Sequence, residues 1–267
     1  MKASCPSDQK VSVLLSGGVD SLSVAFAAKQ LGKSIHAYSF HLKDNISYDF
    51  RKAEETANIF GWEFTGIEVP TNNLVEDFHR LVKMGCVRKT HFECVFPFLY
   101  VYPQIKEKYV LSGWAADGYF GVSKKAQINY KHTKKLFDQF RDNYFAKYNQ
   151  AGYLWHKKVS DMYDKVFITP YISEDIKQFF YQMDWYELNE PYQKHHVREA
   201  FDEFKMIGKV KKHLNLQLES GINVLFESLL NNRDINFKNR KRMMDVYRDW
   251  SKIQTLSNGG SLQEFFS

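Results

Sequence analysis

The sequence predicts an α/β protein with a mostly parallel sheet, followed by a helical C-terminal part. Three observations carry that expectation. Apolar, β-branched runs alternate with helix-patterned stretches over residues 11–121, the order that gives a parallel sheet with crossover helices. Two of the strand-like runs end directly in glycine-bearing turns, near 16–21 and 112–118. Beyond about residue 122 the strand signals fade and helical patterns take over. The division expected is an α/β core over 1–121 and a helical part over 122–267, packed on the same core.

Residues 1–10 read as a loose arm. Val11, Val13, Leu14 and Leu15 are a short apolar run suited to a strand covered on both faces. Ser21 to Gln30 is an alanine-rich helix, stopped by Gly32. Ile35 to Phe40 is the next strand. In 47–62, Phe50, Ala53, Ala57 and Phe60 recur at helical spacing, and Gly61 ends the helix. Residues 63–70 alternate like a strand, and 72–85 form a helix ended by glycine. The stretch 90–107 is mostly helical, with bends at Pro97 and Pro103. Residues 108–121 are a short strand running into the second glycine turn. Helices are then expected over 124–150, 173–188, 192–208 and 221–232, with a basic helix at 239–256.

Composition narrows the class. The 267 residues are 44% hydrophobic and 25% charged, enough to bury a sizeable core. No apolar run nears the roughly 18 residues of a membrane helix, and the first ten residues lack the apolar stretch of a secretory signal. A cytoplasmic protein is expected. Cys5, Cys86 and Cys94 are odd in number and form no Cys-x-x-Cys, which indicates neither a disulfide framework nor a zinc site. The histidines, among them His36, His41, His195 and His196, show no His-x-x-x-His pair; His91 is the one that stands nearest the second turn. A net charge of +6 is compatible with anionic ligands without specifying one. Aromatic residues, 16% of the chain, are expected chiefly in core and helix packing.

The first turn reads Ser-Gly-Gly-Val-Asp-Ser at residues 16–21. Gly17 and Gly18 permit positive φ and close backbone approach. Their N–H groups and the helix that follows can face an anion, and Ser16 and Ser21 add hydroxyls. Asp20 would repel a phosphate unless a cation lies between them, so it reads as a Mg²⁺ ligand. A Walker A loop is excluded because Gly-Lys-Ser/Thr is missing, and the dinucleotide fingerprint Gly-x-Gly-x-x-Gly is missing too.

This loop resembles the PP-loop of the ATP pyrophosphatases, which cleave ATP between its α and β phosphates. The resemblance implies an adenine nucleotide α-hydrolase-like fold, with ATP and Mg²⁺ as cofactors. It implies a nucleotide site at Leu15, Ser16, Gly17, Gly18, Val19, Asp20 and Ser21, with Phe40, Ser112 and Gly113. "VLSGWAADGYFG" (110–121) is similar to the second motif of the asparagine synthetase synthetase domain, Leu-Ser-Gly-Glu-Gly-x-Asp-Glu-x-Phe-Gly-Gly. Asp117 then matches a second metal-associated carboxylate, paired with Asp20. Two family glutamates are replaced, by Trp114 and Gly118, and the resemblance implies that loss of the first puts an aspartate substrate in doubt more than the ATP chemistry. "ITPYISEDIKQFF" and "YQKHHVREAF" resemble a third stretch, with Pro170, Tyr171, Lys194, Arg198, Ala200 and Phe201 at matching positions. Lys194 and Arg198 share a helical face, and the resemblance marks both for phosphate or carboxylate. Lys211 or Lys212 is the candidate for the lysine of the amidation step.

The implied activity is an ATP-dependent ligase of asparagine-synthetase type. It adenylates a carboxylate, releases pyrophosphate and passes the acyl group to an amine. Residue 2 is Lys and the loop begins almost at once, so no glutaminase domain with an N-terminal cysteine is expected. The nitrogen is then expected as free ammonia, from a separate glutaminase or as another amine. Two other readings stay open. One is an enzyme that adenylates a base of tRNA or DNA, using the basic helix with Arg240, Lys241, Arg242, Arg248 and Lys252. The other is a nucleotide-binding protein without catalysis, motivated by Trp114 and Gly118.

Overall fold

The computed structural model describes residues 10–86, 88–146, 152–208 and 216–231 and, singly, Asp249 and Lys252. The basic stretch 239–256 lies outside the described residues apart from those two, and so do Lys211 and Lys212.

Five strands make one parallel sheet: β1 (Val11–Leu14), β2 (Ile35–Leu42), β3 (Glu63–Val69), β4 (Tyr109–Ser112) and β5 (Val166–Ile168). Their order is β3-β2-β1-β4-β5. The chain builds outward from β1 to β3, then crosses back to lay β4 on the other side of β1. That reversal opens a crevice at the carboxyl ends of β1 and β4, the place where ligands bind in open α/β sheets.

Helices cover both faces. α1 (Val19–Gln30) and α2 (Tyr48–Phe60) lie on one face, and α3 (Leu74–Lys83), α4 (Lys89–Val95) and α5 (Phe98–Val101) on the other. Then come α6 (Asp117–Phe120), α7 (Lys124–Asn129), α8 (Lys134–Phe145), α9 (Tyr153–Met162), α10 (Glu174–Tyr181) and α11 (Trp185–Asn189). The described chain continues through α12 (His195–Glu199), α13 (Glu203–Met206), α14 (Leu216–Glu219) and α15 (Ile222–Asn231). None of the described helices is long and apolar enough to cross a membrane. β1 shows the strand period directly: Val11 and Val13 enter the first core, Leu14 the second.

The C-terminal helices join both cores. Phe137, Phe180, Leu188, Val197 and Phe204 pack into the first, and Val159 and Phe226 into the second. α1 is consequently buried nearly all round, with Phe26 edge-on to Phe60 at 5.3 Å and to Phe204 at 5.1 Å. This explains why its sequence shows little polar face. The Gly61 stop is as expected, with φ +64°, and Ser47 caps the other end of α2 by accepting from the Phe50 N–H at 3.2 Å.

Four expectations need correction, and two of them are alike: the helices expected over 124–150 and 192–208 are each broken in two, at 130–133 and at 200–202. Strand signals do not end at 122: β5 pairs with β4 and completes the sheet from within the stretch read as helical. At three residues on an edge, it is too short to show alternation. The helix expected over 173–188 is two, α10 and α11, separated at 182–184. Asp184 starts the second with a capping box: it accepts from the Glu187 N–H at 2.9 Å, and its own N–H donates to Glu187 Oε2 at 2.7 Å. Fully buried Arg141 ties α8 to this break, donating to the carbonyls of Phe180 (2.7 Å) and Met183 (3.1 Å).

Two buried histidines set an acid limit on this fold. His156 lies 4.3 Å from Phe98 and 4.4 Å from Trp114, ring to ring, and donates only to the Cys94 carbonyl, at 3.2 Å. Burial pushes its pKa down to about 3. His91, stacked on Trp155 at 3.9 Å, is pushed down to about 4 by burial and by Arg88. Both are neutral when folded, whereas the unfolded chain takes up their protons below about pH 6.5. Stability is therefore full above that pH and falls below it, by about 1.4 kcal/mol per pH unit for each histidine. Urea denaturation at pH 7, 6 and 5 should show this loss, and His156→Phe should halve its slope; an unchanged slope would contradict the assignment.

Candidate active site

The first loop leaves the sheet one residue late, because the Leu15 N–H still donates to the Tyr38 carbonyl at 2.8 Å. Gly17 makes the turn at φ +69°, and a Cβ there would lie 2.7 Å from Lys52 Cβ and 3.0 Å from the Asp49 carbonyl. Gly18, by contrast, is extended at φ −82° and precedes α1 as its N-cap. Only one of the two glycines uses positive φ. Ser21 ties the loop to itself: its hydroxyl accepts from the Ser16 N–H at 3.1 Å and donates to the Gly18 carbonyl at 3.1 Å.

The second loop is pressed against the first. A Cβ on Gly113 would lie 2.5 Å from the carbonyl carbon of Asp20 and 2.6 Å from the Ser21 nitrogen. Here glycine is required by close approach of backbone to backbone. Ser112 accepts from the Trp114 N–H at 3.2 Å. Ala115 has φ +74° at a position where the related motif has glycine, a strain of about 1–2 kcal/mol. Asp117 then opens α6.

Lys194 brings the two carboxylates together. Its Nζ donates to Asp20 Oδ1 at 2.8 Å and Oδ2 at 2.6 Å, and to Asp117 Oδ1 at 2.6 Å. The lysine is 6% exposed and holds a left-handed backbone, φ +61°, just before α12. Burial disfavours its charge, but Asp117 and Asp20 outweigh burial and raise its pKa above the ordinary lysine value. Two carboxylates meet at one lysine, and the Arg198 guanidinium also interacts with Asp20. That donor set fits Mg²⁺, which takes one or two carboxylates and completes its shell with phosphate oxygens and water. Among the described residues no cluster of three metal-ligating side chains exists. Arg198 is half-buried, 5.9 Å from the Phe204 ring centroid; burial lowers its pKa, and Tyr192 and Asp20 oppose that.

A cavity of about 360 Å³ opens between the loops. Of the sequence-predicted residues, Leu15, Ser16, Asp20, Ser21, Phe40, Ser112, Gly113 and Asp117 line it. Gly17, Gly18 and Val19 shape the turn without lining it, and Lys194 and Arg198 stand behind the wall. Lys212 lies outside the described residues. Sequence reasoning missed Thr90, Cys94 and Phe98, whose spacing of four is a legible helical face, and Tyr144, which no local pattern marks.

The departures at 114 and 118 have a packing cause. A Cβ on Gly118 would overlap the Tyr144 ring and lie 2.8 Å from Phe145 Cζ. Trp114 lies against His156, and Gly152 lacks room for a Cβ because Trp114 Cζ2 would be 2.8 Å away. Aromatic rings fill the volume that two glutamates would need.

Fold and loops together define a nucleotide-binding α/β protein of the PP-loop ATP pyrophosphatase type. The family model described as asparagine synthase matches residues 1–207, and the chain belongs to that family. Among solved structures it is similar to a predicted subunit of tRNA methyltransferase from Methanocaldococcus jannaschii DSM. Identity is 15%, over 72% of this chain and 85% of that one, at a TM-score of 0.38. No curated protein matches significantly.

Two substitutions probe this geometry. Gly118→Glu should cost about 1–3 kcal/mol by overpacking, and Tyr144→Ala should recover part of it in the double variant. Additive losses in chemical denaturation would deny the contact. Lys194→Met leaves two acids facing each other. It should cost about 3 kcal/mol, the low end for a broken buried pair, since the Asp117 side chain is 38% exposed. Millimolar Mg²⁺ should raise the melting temperature of that variant more than that of the native chain; equal shifts would speak against a metal at the pair.

Proposed function

We propose that the protein is an ATP-dependent ligase that adenylates a carboxylate and then transfers the acyl group to ammonia or another amine. The observation that carries this reading is the Asp20–Lys194–Asp117 cluster beside the first-loop turn, at the reversal of strand order. The α/β part holds the nucleotide in this reading, and the helical part supplies Lys194.

The adenosine end of ATP fits the β2 side of the cavity, where Leu15, Ser39 and Phe40 line the wall. The triphosphate runs past the start of α1 toward Asp20 and Asp117, meeting backbone N–H groups and the positive end of that helix. Mg²⁺, when bound at the two carboxylates, would neutralise charge on the phosphate oxygens. A substrate carboxylate oxygen attacks the α-phosphorus. The bond from that phosphorus to the α–β bridging oxygen breaks, and pyrophosphate departs with the electron pair. Lys194, held charged, stabilises the charge gathering on the leaving group. In the second step the amine nitrogen attacks the acyl carbon, the carbon–oxygen bond to AMP breaks, and the nitrogen loses a proton. The protein's contribution is mainly positioning and electrostatics. Lys212 is assigned to the second step by resemblance alone, and a separate glutaminase is one source of the ammonia.

Asp20→Asn should lower acid-dependent pyrophosphate release by about 100-fold or more, measured with a coupled pyrophosphatase assay. An unchanged rate would remove Asp20 from the chemistry.

A further inference from the structure

α8 sends Tyr144 into the wall of the cavity, beside the second turn. Its ring lies on the bare backbone of Gly118, the residue after Asp117: a Cβ there would overlap Cδ1 and Cε1 of the ring. Phe145 at 5.2 Å and Phe140 at 6.2 Å, ring centre to ring centre, hold it from its own helix. Packing therefore fixes the ring at the end of the cavity where Asp117 stands.

Packing does not account for the hydroxyl. Phe137, Phe140 and Phe145 on the same helix pack into or against the first core as phenylalanines, and a phenyl ring would cover Gly118 equally well. A tyrosine in such a place ordinarily uses its O–H for a hydrogen bond. This phenol feels the charges of Asp117, Asp20 and Lys194, and burial with the two acids raises its pKa above the ordinary tyrosine value. It therefore stays protonated around neutral pH and acts as an uncharged donor. Both carboxylates and the phenol line one cavity, so a phosphate group brought to the acids by Mg²⁺ comes within the reach of that donor.

We infer that the Tyr144 hydroxyl belongs to the pyrophosphate subsite, donating a hydrogen bond to the β-phosphate of bound ATP and to the pyrophosphate that leaves. This deepens the ligase reading and rests on its placement of the leaving group at Asp20 and Asp117. The hydroxyl keeps its proton throughout, so no covalent step is added. Its hydrogen bond strengthens as charge gathers on the departing oxygen.

The test compares the native chain with Tyr144→Phe, which keeps the ring on Gly118 and loses the hydroxyl. Inorganic pyrophosphate and AMP are titrated into each by calorimetry, with Mg²⁺ present. Tyr144→Phe should bind pyrophosphate about tenfold more weakly, the effect of one hydrogen bond to a charged group, while the AMP Kd changes less than about twofold. A purely structural role would weaken both ligands together or neither, and either result overturns the inference; so does a native chain that binds no pyrophosphate. Tyr144→Leu, also without a hydroxyl, makes the same comparison if the phenylalanine form does not fold. ATP–pyrophosphate exchange with a panel of carboxylic acids tests the ligase reading separately. Pyrophosphate binding that depends on Tyr144, without exchange for any acid, would remove the ligase reading and leave this subsite standing.

Discussion

Three charged groups from three distant parts of the chain meet in the crevice: Asp20 after β1, Asp117 after β4 and Lys194 before α12. Each would be costly there alone, because a half-buried carboxylate or a buried ammonium loses hydration that only an opposite charge replaces. The sheet order brings the two acids together, since β1 and β4 are neighbours at the reversal. The helical part brings the lysine, and a left-handed backbone residue aims it. An uncommon conformation at a charged residue persists only where its surroundings over-determine it. Here the bonds to two carboxylates and the Phe120 ring at 5.3 Å do so.

Much of this arrangement was legible in the sequence, for identifiable reasons. The alternation of strands and helices over 11–121 gave the first four strands and the parallel class, because each strand was an apolar run bounded by turn residues. The Ser-Gly-Gly-Val-Asp-Ser string and the aspartate at 117 marked both halves of the site. Lys194 and Arg198 were reached through resemblance. What could not be read depended on tertiary contact. β5 has three residues and is a strand only because β4 is beside it. The break between α10 and α11 did carry a local sign, the Asp184 and Glu187 pair, which the continuous apolar pattern obscured. Tyr144 enters the cavity because Gly118 leaves room for it, a relation across 26 positions that no periodicity expresses.

The substitutions at 114 and 118 show how one family pattern can be altered without disturbing its loops. The tryptophan is accommodated by a glycine at 152 and a neutral histidine at 156; the tyrosine at 144 is accommodated by a glycine at 118. Each large ring is matched by a small or apolar partner elsewhere, as close packing requires. The turn at 16–21 keeps the sequence expected of a phosphate-facing loop.

The backbone contact at Gly113 has a mechanical meaning. With the second turn lying directly on the carbonyl of Asp20, the two turns cannot slide past each other, and they behave as one rigid jaw. Lys194 then ties the helical part to both turns at once, through Asp20 and Asp117. The grip is cast in the sheet, and the lysine that closes it comes from the half of the molecule that the sequence describes least.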